Sequence, residues 1–130
     1  MKQTIVPNRN MIMISVAASL VIKNDIEYLW YAAHSGDHEI YPDCRPEFID
    51  KMAAVLEICD YHKIKFEAPF QNLSKNEIVA TGLSMGLDYS KTWTCYEGKE
   101  KPCGKCSACL ERALSFEANN TEDPLNVVSN

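Results

Sequence analysis

The sequence predicts an α/β fold: an incomplete parallel sheet flanked by helices, with a metal-binding knuckle toward the C-terminus. Three observations predict it. Helical and strand-like segments alternate, the pattern of a parallel sheet covered by helices. Only two convincing strands are visible, fewer than such sheets ordinarily carry, so the sheet reads as half-built. Four cysteines, Cys95, Cys103, Cys106 and Cys109, then follow in the spacing C-x7-C-x2-C-x2-C.

Met1 to Val6 reads as a short strand or an arm. A helix is expected from Pro7-Asn8 to about Lys23, with Asn8 as N-cap and Met11, Ile12, Ile14, Ser15, Ala18 and Ile22 at helical spacing. Asn24-Asp25 signals a turn. Ile26 to Ala33 is rich in aromatic and branched residues and reads as a buried strand. A second helix opens near Pro46, which suits a first turn, and Glu47 suits its dipole. Phe48, Ile49, Met52, Val55, Leu56 and Cys59 form its apolar face, with Cys59 as a small core residue. Lys65 to Pro69 is the second strand. Ser74-Lys75-Asn76-Glu77 is a capping box for a third helix that stops at Gly86. A short helix follows from about Cys109 to Glu117, and Asn119 to Asn130 reads as a flexible polar tail. The expected division is 1–91 for the α/β part, 92–118 for the metal-binding region and 119–130 for the tail.

The chain has 130 residues, 46% hydrophobic and 24% charged, enough for a real core. Its net charge of −5 argues against a non-specific nucleic-acid binder, which wants a basic face. The longest apolar stretch, Met11 to Ile22, is too short to span a bilayer and lacks a signal-peptide cleavage pattern, so it reads as a buried helix. A cytoplasmic, reducing location is expected, which keeps thiols available for metal.

Zinc fits the cysteines best, because structural zinc takes four ligands in a tetrahedron and often all are thiolates. Gly104 permits a tight turn, and Lys99, Lys101 and Lys105 can offset the negative charge. An iron–sulfur cluster is the sharpest rival, since C-x2-C-x2-C opens the ferredoxin pattern. That pattern continues with a cysteine where Ala113 stands here, and then proline. Disulfides and a redox C-x-x-C at Cys103–Cys106 are the other readings.

After the first strand, ligands of an open parallel sheet would bind. The loop there gathers His34, Asp37, His38, Glu39, Tyr41, Asp43, Cys44 and Arg45. Arg45 can fork onto a carboxylate or phosphate. The competing reading is a hydrated loop with Asp43 capping the next helix. His34 and His38 invite a second metal site only if a helix aligns them. Cys44 is a nucleophile or a packed, ligand-lining thiol, and the second is favoured.

Several stretches together resemble the 7-cyano-7-deazaguanine synthase family (QueC or ExsB). They are Val6-Pro7-Asn8-Arg9-Asn10, Tyr41-Pro42-Asp43-Cys44-Arg45-Pro46-Glu47-Phe48, Leu73 to Val79, Thr92 to Tyr96, and Lys101 to Cys109. The likeness runs from residue 5 to 118. It implies a Rossmann-like fold of the PP-loop ATP pyrophosphatase type, often dimeric. It also implies the chemistry: ATP with Mg²⁺ activates the carboxylate of 7-carboxy-7-deazaguanine, ammonia gives the amide, and a second activation gives the nitrile. The product feeds queuosine and related 7-deazaguanine modifications. By resemblance, Cys95, Cys103, Cys106 and Cys109 are zinc ligands. Arg9, Asn10, Asp37, Tyr41, Asp43 and Arg45 are then the substrate-binding candidates.

Two departures from the family pattern stand out. Asn8 replaces a glycine, and asparagine tolerates left-handed backbone. The glycine-rich phosphate loop SGGxDS that opens the family's sheet is absent from these residues; Ser84 to Ser90 lacks its paired glycines. The expectation is therefore a synthase-like chain that is inactive alone. It would need a homo-oligomer or a partner chain carrying the N-terminal half. The alternative is a non-enzymatic, zinc-stabilised binding module.

Overall fold

A computed structural model describes residues 6–127, which fall in two compact units that divide between Asn72 and Leu73. The strand or arm expected over Met1 to Val6 lies, Val6 apart, outside the described residues.

In the first unit α1 spans Arg9–Lys23, β1 Tyr28–Trp30, α2 Pro46–Ile58 and β2 Lys65–Glu67. The strands pair in parallel with Leu29 opposite Phe66. This is the β-α-β unit that the alternating pattern predicts. β1 is shorter than the expected Ile26 to Ala33. Its ladder ends where Tyr31 N donates to Glu67 O at 2.8 Å, because Pro69 beyond has no N–H to continue it.

The core joins Ile14, Ala18 and Val21 of α1, Ile49, Met52 and Leu56 of α2, and Phe66 of β2. Burying such side chains contributes roughly 1.5–3 kcal/mol each. The helical faces differ from expectation in detail. α1 buries one stripe only, and Met11 and Ile12 are exposed along with Met13, Val16 and Leu20. On α2, Val55 is exposed, and Cys59 is exposed with its thiol donating to Leu56 O.

Asn8 does stand at the N-cap of α1, but in left-handed backbone with φ 59°, and its side chain makes no capping bond. α2 begins after Arg45, not Asp43, with Pro46 in its first turn. Asp43 instead lies in a 3₁₀ turn over Pro42–Cys44, so it does not cap the helix.

In the second unit α3 spans Lys75–Ser84 and α4 Ser107–Ala118, with a 3₁₀ turn over Tyr89–Lys91. The capping box forms as predicted: Ser74 N donates to Glu77 Oε2 at 2.7 Å, and Glu77 N to Ser74 Oγ at 3.4 Å. α3 and α4 pack together. Tyr89 lies against Gly82, donates to Val79 O at 3.1 Å, and meets the Phe116 ring edge-on.

Three helices stop in the same way. Asp25, Gly86 and Asn120 each adopt positive φ one residue past the cap. The next amides, of Ile26, Leu87 and Thr121, reach back to Val21 O, Gly82 O and Phe116 O. This is the Schellman arrangement, which satisfies otherwise orphaned carbonyls.

The segment after α4 is not frayed over its described length. Arg112 Nε and Nη2 fork onto Asp123 Oδ2 and Oδ1 at 2.7 and 2.8 Å, with both side chains nearly fully buried. The same guanidinium donates to Thr92 Oγ1 at 2.8 Å and Tyr89 O at 3.1 Å. Val127 is buried beyond it. One side chain thus ties α4 to the 3₁₀ turn and to the segment that follows the helix.

Removing one member of that pair leaves a buried charge uncompensated. Asp123→Asn or Arg112→Met is expected to destabilise the second unit by about 3–5 kcal/mol. Urea unfolding checks this, and a change below about 1 kcal/mol would show the pair to be a marginal contact. Gly82→Ala drives a methyl into Tyr89 and is expected to cost about 1–3 kcal/mol in the same assay.

Candidate metal centre and polar cleft

The four cysteines converge from two elements. Cys95 follows the 3₁₀ turn at Tyr89–Lys91, and its carbonyl accepts from Trp93 Nε1 at 2.9 Å. Cys103 and Cys106 flank Gly104, whose φ of 70° makes the knuckle's turn. Cys106 is the N-cap of α4, and Cys109 lies in its first turn, fully buried.

All four sulfurs lie within 4.8 Å of one another, and Cys103 and Cys109 are 3.9 Å apart. A zinc ion with Zn–S bonds of about 2.3 Å sets its tetrahedral sulfurs about 3.8 Å apart. The set therefore fits one such ion after a small contraction. A disulfide needs sulfurs about 2.05 Å apart. A cluster of several irons needs its thiolates spread around it, since each binds a different iron.

Backbone amides point at the sulfurs. Glu97 N and Cys103 N donate to Cys95 Sγ at 3.4 and 3.3 Å, and Cys106 N donates to Cys103 Sγ at 3.3 Å. Such bonds favour thiolates, as does the N-terminus of α4. Hydrogen bonding from the Tyr96 backbone, above all, brings Cys106 down to about 6, while burial pushes Cys109 up to about 12. Of the lysines expected to offset charge, Lys99 and Lys105 approach Glu97, at 3.0 and 3.9 Å. Among the described residues no other group of three or more histidine, cysteine or carboxylate side chains is placed to hold a metal. The His34–His38 pair forms no such group.

The polar candidates lie in the first unit. Val6 to Asn10 and Ile40 to Asp43 line a cleft of about 290 Å³. It brings together Arg9, Asn10, Tyr41 and Asp43, which are thirty residues apart in sequence. The N-terminus of α1 opens there, and helix N-termini attract anions.

Asp37 and Arg45 are not in the lining. Asp37 Oδ2 lies 3.2 Å from Nε2 of buried His34, whose Nδ1 accepts from Gly36 N. Arg45 Nε donates to His38 O at 2.7 Å. Both residues shape the loop that carries Tyr41 and Asp43. Cys44 is buried, and burial pushes its thiol up, which favours a packed thiol over a nucleophile.

Tyr31 also contributes, though it lies outside the loop that holds the polar candidates. Its hydroxyl donates to Asp43 O at 3.2 Å and lies 3.3 Å from Cys44 Sγ, fixing the Pro42–Cys44 turn beside the cleft. Its place in strand parity with Leu29, facing the core, is the signal that was available.

The family described as queuosine biosynthesis protein QueC matches residues 1–120. A 7-cyano-7-deazaguanine synthase of Marinobacter nauticus is 53% identical over 125 residues, 96% of this chain and 57% of the relative. The synthase of Pseudoalteromonas atlantica is 54% identical over the same shares, and that of Methanoregula boonei 50% identical over 96% and 58%. The chain thus spans a little over half the length of the curated relatives it matches.

Purified protein is expected to contain one zinc per chain by elemental analysis. Cys109→Ser and Cys106→Ser should each lose the metal, with Cys109→Ser the more destabilising because its sulfur is buried. Because ligand thiols must deprotonate, zinc affinity should fall as pH is lowered from 8 to about 5.5. Stoichiometric iron and sulfide in place of zinc would contradict the assignment.

Proposed function

The chain belongs to the QueC family, and we propose that it forms the zinc-stabilised, substrate-holding part of a 7-cyano-7-deazaguanine synthase. The observation that carries this is the cleft: Arg9, Asn10, Tyr41 and Asp43 meet in one place, in a chain 50–54% identical to curated synthases. In this reading the substrates are 7-carboxy-7-deazaguanine and ammonia, and the fold continues as a PP-loop sheet of Rossmann-like form.

Each residue has work its chemistry suits. Arg9 and the amide end of α1 hold the negative carboxylate to be activated. The Asp43 carboxylate accepts from the N–H groups on the guanine-like edge of the heterocycle, which pairs two donors with two acceptors. Tyr41 offers an aromatic face, and Asn10 a donor and an acceptor. Asp37 and Arg45 act through the loop: one anchors His34 and the other ties down the carbonyl of His38. Zinc, held by Cys95, Cys103, Cys106 and Cys109, supplies folding free energy to the second unit.

The residues present do not suit ATP phosphates. The nearest sequence to a phosphate loop, Ser84 to Ser90, sits at the C-terminal end of α3, where the helix dipole repels anions. Activation of the carboxylate is therefore assigned to residues outside this sequence, with ATP and Mg²⁺ bound there.

Mass spectrometry for 7-cyano-7-deazaguanine tests the reading. The assay uses 7-carboxy-7-deazaguanine, ammonium and Mg-ATP, with the chain joined to the unmatched part of the Marinobacter nauticus relative. Nitrile is expected, and Arg9→Ala or Asp43→Ala should cut kcat/KM roughly 30-fold or more, as loss of a charged ligand contact does. Turnover unchanged in both variants would remove the cleft from the reaction. Substrate binding without turnover would instead favour a zinc-stabilised binding module.

A further inference from the structure

Asn8 lines the cleft with a side chain that the fold does not use. It precedes α1 with φ 59° and ψ 14°, and its amide makes no capping bond to the helix. Among the described residues nothing else bonds that amide either. An asparagine before a helix ordinarily stands there for the capping bond. Left-handed backbone is freer still to glycine, which has no Cβ. The conformation of the chain therefore does not account for an amide at this place. The cleft does, because the side chain adds two donors and an acceptor to it, directly beside Arg9.

The proposed reaction presents this cleft with two different groups in turn. The carboxylate is charged and only accepts hydrogen bonds; the carboxamide formed from it is neutral, with two donors and an acceptor. Arg9 has five donors and no acceptor, so it suits the first group, and its charge-assisted bonds weaken once ammonia has removed the negative charge. A primary amide suits the second. Two such amides pair edge to edge, each donating one N–H to the other's oxygen. Against a carboxylate the same side chain donates through its nitrogen alone, and its own oxygen meets no donor. Residues 8 and 9 are consecutive and both line the cleft, so a group held at one lies near the other.

We propose that Asn8 holds the carboxamide intermediate by amide-to-amide pairing and so keeps it in the cleft for the second activation. A carbonyl oxygen paired in this way retains its second lone pair for that step. The proposal rests on the synthase reading of the cleft. It adds a residue selective for the neutral intermediate, at the position where the family pattern has a glycine.

The chain joined to the unmatched part of the Marinobacter nauticus relative is supplied with either 7-carboxy-7-deazaguanine or its carboxamide, together with ammonium and Mg-ATP. Free amide and nitrile are read by mass spectrometry. Asn8→Gly keeps the left-handed backbone. It should lower kcat/KM from the carboxamide roughly tenfold, as loss of two net hydrogen bonds does, and change conversion of the acid by less than about threefold. It should also release free amide while the acid is turned over. Asn8→Asp has the same shape without the NH2 donors, and should lose the carboxamide in the same way. Equal loss from both compounds is what a merely structural role gives, and it overturns the proposal, as does no loss from either. Amide released by Asn10→Ala and retained by Asn8→Gly would move the role to Asn10 and overturn it too. A second measurement needs no turnover: NMR titration of the full 130-residue chain with the carboxamide and with the acid. Affinity for the carboxamide should fall roughly tenfold in Asn8→Gly, and affinity for the acid should stay within about threefold. A carboxamide that does not bind, or binds the variant equally, overturns the proposal. Carboxamide affinity lost in Asn8→Gly, with no nitrile from the joined protein, keeps the Asn8 contact and removes the synthase reading. Nitrile formed from the carboxamide by Asn8→Gly at the unsubstituted rate does the reverse.

Discussion

The second unit depends on four sulfur atoms at the centre of a small hydrophobic core. The buried cluster around the sulfurs consists of Cys95, Cys109, Ala113 and Val127, with Cys103, Cys106 and Leu125 against it, and beside it only Val79 and Phe116 are buried apolar side chains among the unit's described residues. That is too little apolar volume to hold two helices and a long irregular segment against the entropy of ordering them. A metal ion changes the balance, since thiolates that repel one another when bare become a cross-link when bound. The amide donors around Cys95 and Cys103 and the cap position of Cys106 already favour the charged form. Arg112 then fastens what the sulfur cluster gathers, joining the turn before Cys95 to the helix that carries Cys106 and Cys109.

The first unit is organised by a different constraint. Among the described residues, its helices pack on the Leu29–Phe66 face of the sheet while Tyr28 and Trp30 are exposed on the other, and its cleft forms where the start of α1 meets the turn at Pro42–Cys44. Asn8 makes that meeting possible by accepting a left-handed backbone where the chain enters the helix. Tyr31 makes it stable, reaching from the end of β1 to the carbonyl of Asp43. Strand, turn and helix start thus fix the cleft from three directions, and the loop residues Asp37 and Arg45 serve its frame.

Much of this was legible in the sequence because the helices carry local signals. The capping box at Ser74–Glu77, Pro46 in a first turn, and Gly86 past a helix end each act within a few residues. The cysteine knuckle was legible for the same reason. What was missed depends on distant partners. The strand Ile26 to Ala33 was overextended, because its length is set by Pro69 on the other strand. The segment after α4 read as a polar tail, because Asp123 is an ordinary surface residue until Arg112 is known to face it. Asn119-Asn120 carried a usable signal, the same left-handed helix stop that Asp25 and Gly86 make. The exposed stripe of α1 was read as buried, because composition reports apolar residues and not what covers them.

Hydrogen exchange followed by mass spectrometry, with and without chelation of the metal, tests the dependence on the sulfur cluster most directly. Removing zinc is expected to release protection across α3, α4 and residues 121–127 together, and returning zinc to restore it. Amides of α4 that stay protected in metal-free protein would contradict it, showing that the second unit holds its fold by packing and the Arg112–Asp123 pair alone.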